Sequence, residues 1–300
     1  MRAPTGDQFV ISSGGYTATI TESGATLRAL SHEGRELVAG FAEDAMPSGG
    51  TGQLLVPWPN RIRDGRYTFA GATQQLPLSE PARHNASHGL VRWAAWTPVA
   101  VSDESVTLGY RLMAQSGYPW TLDLRTTYAV GPDGLTVTQA ATNLAATAAP
   151  YASGAHPYLT VGPGPVDDWI LALPAATRLL SDPDRKLPTG HESVTDTDYD
   201  FREGPAIGPL VLDHAFGDLE RDADGVATVT LRGPGGGVAL WVDWRHRWLM
   251  AYTADDRPNA RQVLAVEPMT APPDAFNSGE DLITLGPDET VEARWGIRVL

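Results

Sequence analysis

The chain has 300 residues, a formal net charge of −14 and no cysteine. That charge excludes nucleic acid and anionic membrane surfaces as partners, because both are bound through basic patches. The missing cysteines exclude disulfides, thiolate catalysis and Cys-based zinc sites, and they fit a reducing compartment. The opening MRAPTGDQFVISSGG lacks the roughly 7–15-residue apolar core of a signal peptide. No apolar run approaches the roughly 20 residues of a membrane span. A soluble, cytoplasmic protein, monomeric or homodimeric, is therefore expected.

The chain carries 31 glycines and 24 prolines, spread as punctuation between short apolar-alternating runs. In chain order, Arg66–Phe69 with Gln74–Leu78 reads as a pair of strands. Thr121–Val130, the turn Gly131-Pro132-Asp133-Gly134 and Leu135–Asn143 read as strand, turn, strand. From Asp182 to Pro209 the chain is polar and rich in proline and glycine, too long for a simple connection, and reads as a site wall or a surface excursion. Val226–Arg232, Val238–Trp244, Trp248–Thr253 and Gln262–Val266 are further strands, and Gly233-Pro234-Gly235-Gly236-Gly237 is a hairpin loop, not a phosphate cradle. The last strand is the clearest. Val291, Ala293, Trp295, Ile297 and Val299 face one way, while Glu292, Arg294 and Arg298 face the other. No window of 12 or more residues shows a clean helical period, so the fold class is all-β, a sandwich or barrel. Candidate site residues lie on both sides of the 182–209 segment, which makes residues 1–300 one domain. The nine tryptophans are assigned mainly to its interior.

Several short phrases hold residues suited to proton transfer on a hydroxylated substrate. Asn60 and Arg61, between Trp58 and Ile62, offer a guanidinium fork for ring hydroxyls or for loop carbonyls. His88 stands in SHGLVRW. With His84 and His156 it suggests a three-histidine metal site, but no helical spacing or acidic cluster accompanies them, so no metal is assigned. His156, in GAHPYLTV, is either a general acid or a buried, satisfied histidine beside a proline. Asp213 follows Leu210-Val211-Leu212 and suits two vicinal hydroxyls or an ordinary turn. Glu267 ends the run Val263-Leu264-Ala265-Val266, where partial desolvation tunes its pKa. No nucleophile elbow, phosphate loop or dinucleotide fingerprint is present, and no cofactor is expected.

In this order, the phrases PWPNRI, SHGLVRW, GAHPYLTV, LDHAF and AVEPMT resemble the aldose 1-epimerase (galactose mutarotase-like) family from about Phe9 to Leu300. The resemblance implies a large antiparallel β-sandwich with a sugar site on an open face. It implies that His156 is the acid toward the ring oxygen and Glu267 the base toward the anomeric hydroxyl. Asn60, Arg61, His88 and Asp213 would hold the sugar, a hexose or modified hexose. The chain departs from the galactose mutarotase pattern at Leu90, where a second glycine is usual, and at His156-Pro157-Tyr158-Leu159-Thr160, where His-x-Tyr-Phe-Asn is usual. The hexose-6-phosphate 1-epimerase type also carries an arginine soon after its His-Gly, as Arg92 does here. Two other functions compete: glycoside hydrolysis by Asp213 and Glu267, and carbohydrate binding without catalysis. Mutarotation itself predicts His156 and Glu267 facing one pocket at roughly 5–8 Å, approaching the sugar from different sides. It also predicts an ionised Glu267 and a readily protonated His156.

Overall fold

A computed structural model describes residues 3–257 and 260–300. Two eight-stranded antiparallel sheets dominate it. The first runs, in spatial order, through Thr97–Val101, Ser105–Leu112, Leu122–Gly131, Gly134–Asn143, Thr290–Val299, Gly236–Val242, Ala227–Gly233 and Ile170–Ala172. The second runs through Pro188–Ser193, Ala175–Ser181, Asp213–Leu219, Trp248–Tyr252, Leu264–Met269, Gly154–Ala155 and Leu54–Leu55, with Tyr158–Leu159 also paired to Leu264–Met269. Four N-terminal strands between Gln8 and Glu36 form a smaller antiparallel sheet.

The expected hairpin pairs Val130 with Leu135 and Gly131 with Gly134, leaving Pro132-Asp133 as a two-residue turn. The C-terminal strand buries Val291, Ala293, Trp295 and Ile297 and exposes Glu292, Arg294 and Arg298, as its alternation requires. Of the tryptophans, Trp58, Trp96, Trp169 and Trp295 are buried, whereas Trp93 and Trp244 are more than half exposed.

The pleat of the second sheet sorts its residues into a core set and a site set. Leu249, Ala251, Leu264, Val266 and Phe216 pack into the main core against Leu124, Tyr128, Val137 and Trp295 of the first sheet. Burial of each such side chain contributes about 1.5–3 kcal/mol. Their neighbours in sequence point to the other face, where Ala215, Trp248, Met250 and Met269 form a separate cluster. Period-two geometry thus places Asp213, Tyr252 and Glu267 on that outer face. A buried polar link ties the sheets together: Trp295 Nε1 donates to Gln139 Oε1 at 3.1 Å, and Gln139 Nε2 donates to the Gly154 carbonyl at 3.3 Å, two residues before His156.

Two strand readings change. Leu264–Met269 extends past Glu267 and through Pro268, so Glu267 lies opposite Met250 inside the sheet instead of at a strand end. The 182–209 segment contains a strand, Pro188–Ser193, which forms a hairpin with Ala175–Ser181. It is an edge strand with no fully buried residue, so no hydrophobic alternation marked it.

Candidate active site

His156 leaves the short strand Gly154–Ala155, and its backbone is held on both sides. Its N–H donates to the Gln53 carbonyl at 3.0 Å, and its carbonyl accepts from Gly52 N–H at 2.9 Å. Gly50, with φ +82°, lets the loop lie against the imidazole, since a Cβ there would come within 2.7 Å of the ring. Tyr158 stacks on the imidazole with ring centres 4.8 Å apart, and His88 meets it edge-on at 5.6 Å.

His88 and Gly89 both take left-handed backbone angles, at φ +60° and +69°. A side chain at position 89 would collide with the Val56 carbonyl, which explains the glycine after His88 in SHGLVRW. The backbone N–H of Asn60 donates to His88 Nδ1 at 3.2 Å. Nδ1 is therefore the acceptor, and the proton sits on Nε2 as a donor. Burial first, then the nearby His156, Arg92 and Arg61, holds the His88 pKa well below its ordinary value, so the ring is neutral.

Arg61 forms a two-pronged pair with Glu80, at 2.8 Å from Nε and 3.0 Å from Nη2, and its Nη1 donates to Asn60 Oδ1 at 3.3 Å. Burial works against this guanidinium, but pairing with Glu80 outweighs it and raises the pKa. Asp213 begins the strand Asp213–Leu219, opposite Tyr252, and its Oδ2 lies 3.2 Å from Lys186 Nζ. Glu267 is almost fully buried, and its Oε1 lies 3.2 Å from His156 Nε2.

All six sequence candidates, Asn60, Arg61, His88, His156, Asp213 and Glu267, line one pocket of about 260 Å³. Arg83 and Arg92 line it as well. Sequence reasoning missed Glu80, Tyr252 and Asp256. Glu80 sits in no distinctive phrase. Tyr252 was legible only through its two-residue spacing from Met250, and its hydroxyl bonds to Asp256. His84 stays apart, paired with Asp64 at 2.9 Å.

The geometry corrects two expectations. His156 and Glu267 are 3.2 Å apart, not 5–8 Å. The ring oxygen and O1 of a pyranose are only about 2.3 Å apart, so two groups side by side also reach them with hydrogen bonds of about 2.9 Å, and no approach from opposite sides is required. The protonation states differ too. Burial first, then Asp213, raises the Glu267 pKa well above the usual carboxyl range, against the opposing pull of Arg61. Burial first, then Arg257, Arg92 and Arg61, lowers His156 to about 3. Both shifts disfavour charge, favouring a neutral imidazole and a neutral carboxyl group side by side.

The chain matches the sequence profile of a family described as Aldose 1-epimerase over residues 7–298. It is 35% identical over 282 residues to the uncharacterized protein YihR of Escherichia coli (strain K12), covering 94% of this chain and 89% of that one. Among solved structures, a GalM/aldose epimerase homologue from C. elegans superposes with a TM-score of 0.86 at 22% identity, covering 98% and 99% of the two chains. A galactose 1-epimerase from Lactobacillus acidophilus NCFM gives a TM-score of 0.80 at 20% identity, covering 100% and 97%. At these identities the two structures show the shared fold, a galactose mutarotase-like β-sandwich.

Proposed function

The chain belongs to the aldose 1-epimerase family, and from that premise we propose that it interconverts the α and β anomers of a hexose or modified hexose. The observation that carries this reading is the His156–Glu267 pair, 3.2 Å apart in a pocket that also holds His88, Arg61 and Asp213. Mutarotation needs one proton given to the ring oxygen and one taken from O1. A carboxyl group and an imidazole side by side supply both. When the sugar binds, its O1 hydroxyl donates to Glu267, which favours the carboxylate, while its ring oxygen can only accept, which favours a protonated His156. Binding thereby favours the ion pair, with the proton on His156 and a carboxylate at Glu267. His156 then protonates the ring oxygen as Glu267 takes the O1 proton. The ring opens to the aldehyde, C1–C2 rotates, and closure on the other face runs the transfers in reverse. His88 Nε2–H, the Arg61 fork, Asn60 and Asp213 hold the hydroxyls in place. No step needs a metal or cofactor, and residues 1–300 act as one domain.

NMR exchange spectroscopy of α and β glucose and galactose, with and without protein, tests the proposal. Faster exchange with protein supports it. Sugar binding without faster exchange would make the chain a carbohydrate-binding protein, and release of a reducing end from an aryl glycoside would make it a glycosidase using Asp213 and Glu267.

A second reading, a sugar carrying phosphate or sulfonate at C6, is favoured by Arg92. Its guanidinium lines the pocket and makes no hydrogen bond or ion pair among the described residues, whereas Arg83 is held by Glu80 at 2.9 Å. Burial lowers the Arg92 pKa, so an anion beside it relieves a cost. Exchange of a 6-phospho- or 6-sulfo-sugar that exceeds exchange of the neutral hexose, and that collapses in Arg92→Ala, selects this reading.

A further inference from the structure

We infer that Lys186 plugs one end of the active site and limits the substrate to a single sugar ring, an inference that rests on the neutral-hexose reading above. Tyr252, Met250 and Trp248 project from the same face of one strand, about 6.5–7 Å apart per step. Tyr252 and Met250 line the catalytic pocket. Trp248 lines a second hollow of about 600 Å³ further along the same face, with His191, Asp218, Glu280 and Asp281. A reducing disaccharide lying along this face, one ring over Glu267 and the next beyond Met250, would span the two. Between them lies a constriction of about 10 Å³ lined by Asn60, Arg61, Lys186, Pro188, Asp213 and Met250. A space of that size holds at most about one water molecule.

Lys186 is not a loose surface lysine. Its backbone is left-handed at φ +57°, and its N–H donates to the Asp182 carbonyl at 2.8 Å. Asp182 Oδ1 accepts from the backbones of Asp184 and Arg185 at 3.0 and 2.6 Å. Arg185 then crosses to the other wall of the pocket, donating to the Arg83 and His84 carbonyls at 3.1 and 2.9 Å and to Asp64 at 2.7 Å. Asn85 Nδ2 returns a bond to the Arg185 carbonyl at 2.9 Å. This turn is pinned on both sides, which fixes the base of the lysine side chain at the constriction, and its ammonium lies 3.2 Å from Asp213. A second ring attached to the bound sugar on that side meets the lysine stem and Pro188.

The test compares kcat/KM for anomer exchange of maltose, lactose and melibiose with that of glucose and galactose. It uses wild type, Lys186→Ala and Lys186→Met, all with the Arg185 clamp intact. Wild type should favour the monosaccharides at least about tenfold. Lys186→Ala should raise the disaccharide-to-monosaccharide ratio at least about fivefold for one or more disaccharides, while Lys186→Met, which fills nearly the same space without charge, should keep the wild-type ratio. Three results overturn the plug: equal wild-type rates on one and two rings, an unchanged ratio in Lys186→Ala, or an equal gain in Lys186→Met. A wild type that exchanges neither neutral monosaccharide overturns the neutral-hexose reading itself, and this inference with it.

Discussion

Two buried histidines, His156 and His246, each lie beside a carboxylate, and the pairs differ in how the carboxylate is satisfied. At a turn far from the pocket, His246 Nδ1 lies 2.9 Å from Asp243 Oδ1. Asp243 also accepts backbone N–H groups from Arg245 at 3.1 Å and Arg294 at 2.8 Å. Burial alone would raise the Asp243 pKa, but the His246 bond and these backbone donors together hold it below the usual value. That pair is a closed structural joint. In the pocket, Glu267 has His156 at 3.2 Å and no backbone donor, and its Oε2 has no hydrogen-bond partner among the described residues. Its pKa rises instead. Burial of the imidazole is common to both pairs, so it does not identify a working one. The distinguishing property is a carboxylate left short of donors in a pocket, with room to exchange a proton with something other than the protein.

The largest effect expected from this contrast is on turnover. His156→Gln and Glu267→Gln should each lower kcat for anomer exchange by about 10²–10⁴-fold. His246→Gln and Asp243→Asn should leave kcat within about twofold of wild type. A Glu267→Gln enzyme with wild-type kcat breaks the comparison. Next come Arg61→Ala and Asp213→Ala, which should weaken sugar binding by roughly 1–3 kcal/mol, read as a higher KM with kcat less affected. If KM rises in the His156 and Glu267 variants alone, the assigned roles are reversed.

Stability should separate the pairs by a smaller amount and with opposite sign. Asp243→Asn should cost about 1–3 kcal/mol in urea unfolding at neutral pH, because the Arg245, Arg294 and His246 donors lose a charged acceptor. The depressed Asp243 pKa makes its contribution fully present above the unfolded value of 3.8 and lost as pH falls through the folded one. Glu267 behaves in reverse. From its ordinary value of 4.5 up to its raised folded value, the folded state keeps a proton that the unfolded chain releases, so stability falls as pH rises. Glu267→Gln should therefore flatten that fall, and its unfolding midpoint at neutral pH should equal or exceed that of wild type. His156 adds a rise in stability between about 3 and 6.5, where the unfolded chain takes up a proton the folded ring refuses, and His156→Gln should remove it. Urea titrations from pH 3 to 8 measure all three. The smallest expected effect is none: EDTA treatment should leave exchange unchanged, and loss restored by one divalent metal would refute the metal-free mechanism.

The sequence by itself determined the fold class and pointed to six of the residues that line the pocket. Alternation from Val291 to Val299 can bury only one face of a strand, and the 130–135 turn admits only an antiparallel return. Gly89 is forced by backbone crowding against Val56, so a local phrase carries part of the site's wording. Tertiary structure decided what local phrases do not encode. The Glu267–His156 distance depends on where Gly154–Ala155 docks beside Leu264–Met269, a pairing across more than 100 residues. The opposite pKa shifts of the pair follow from burial in the pocket, which no flanking residue announces. Glu80 became the anchor of Arg61, and Lys186 the neighbour of Asp213, through turns that meet only in space. A polar edge strand such as Pro188–Ser193 has no core-facing alternation to read, because its place is set by pairing with Ala175–Ser181 and not by burial of its own side chains.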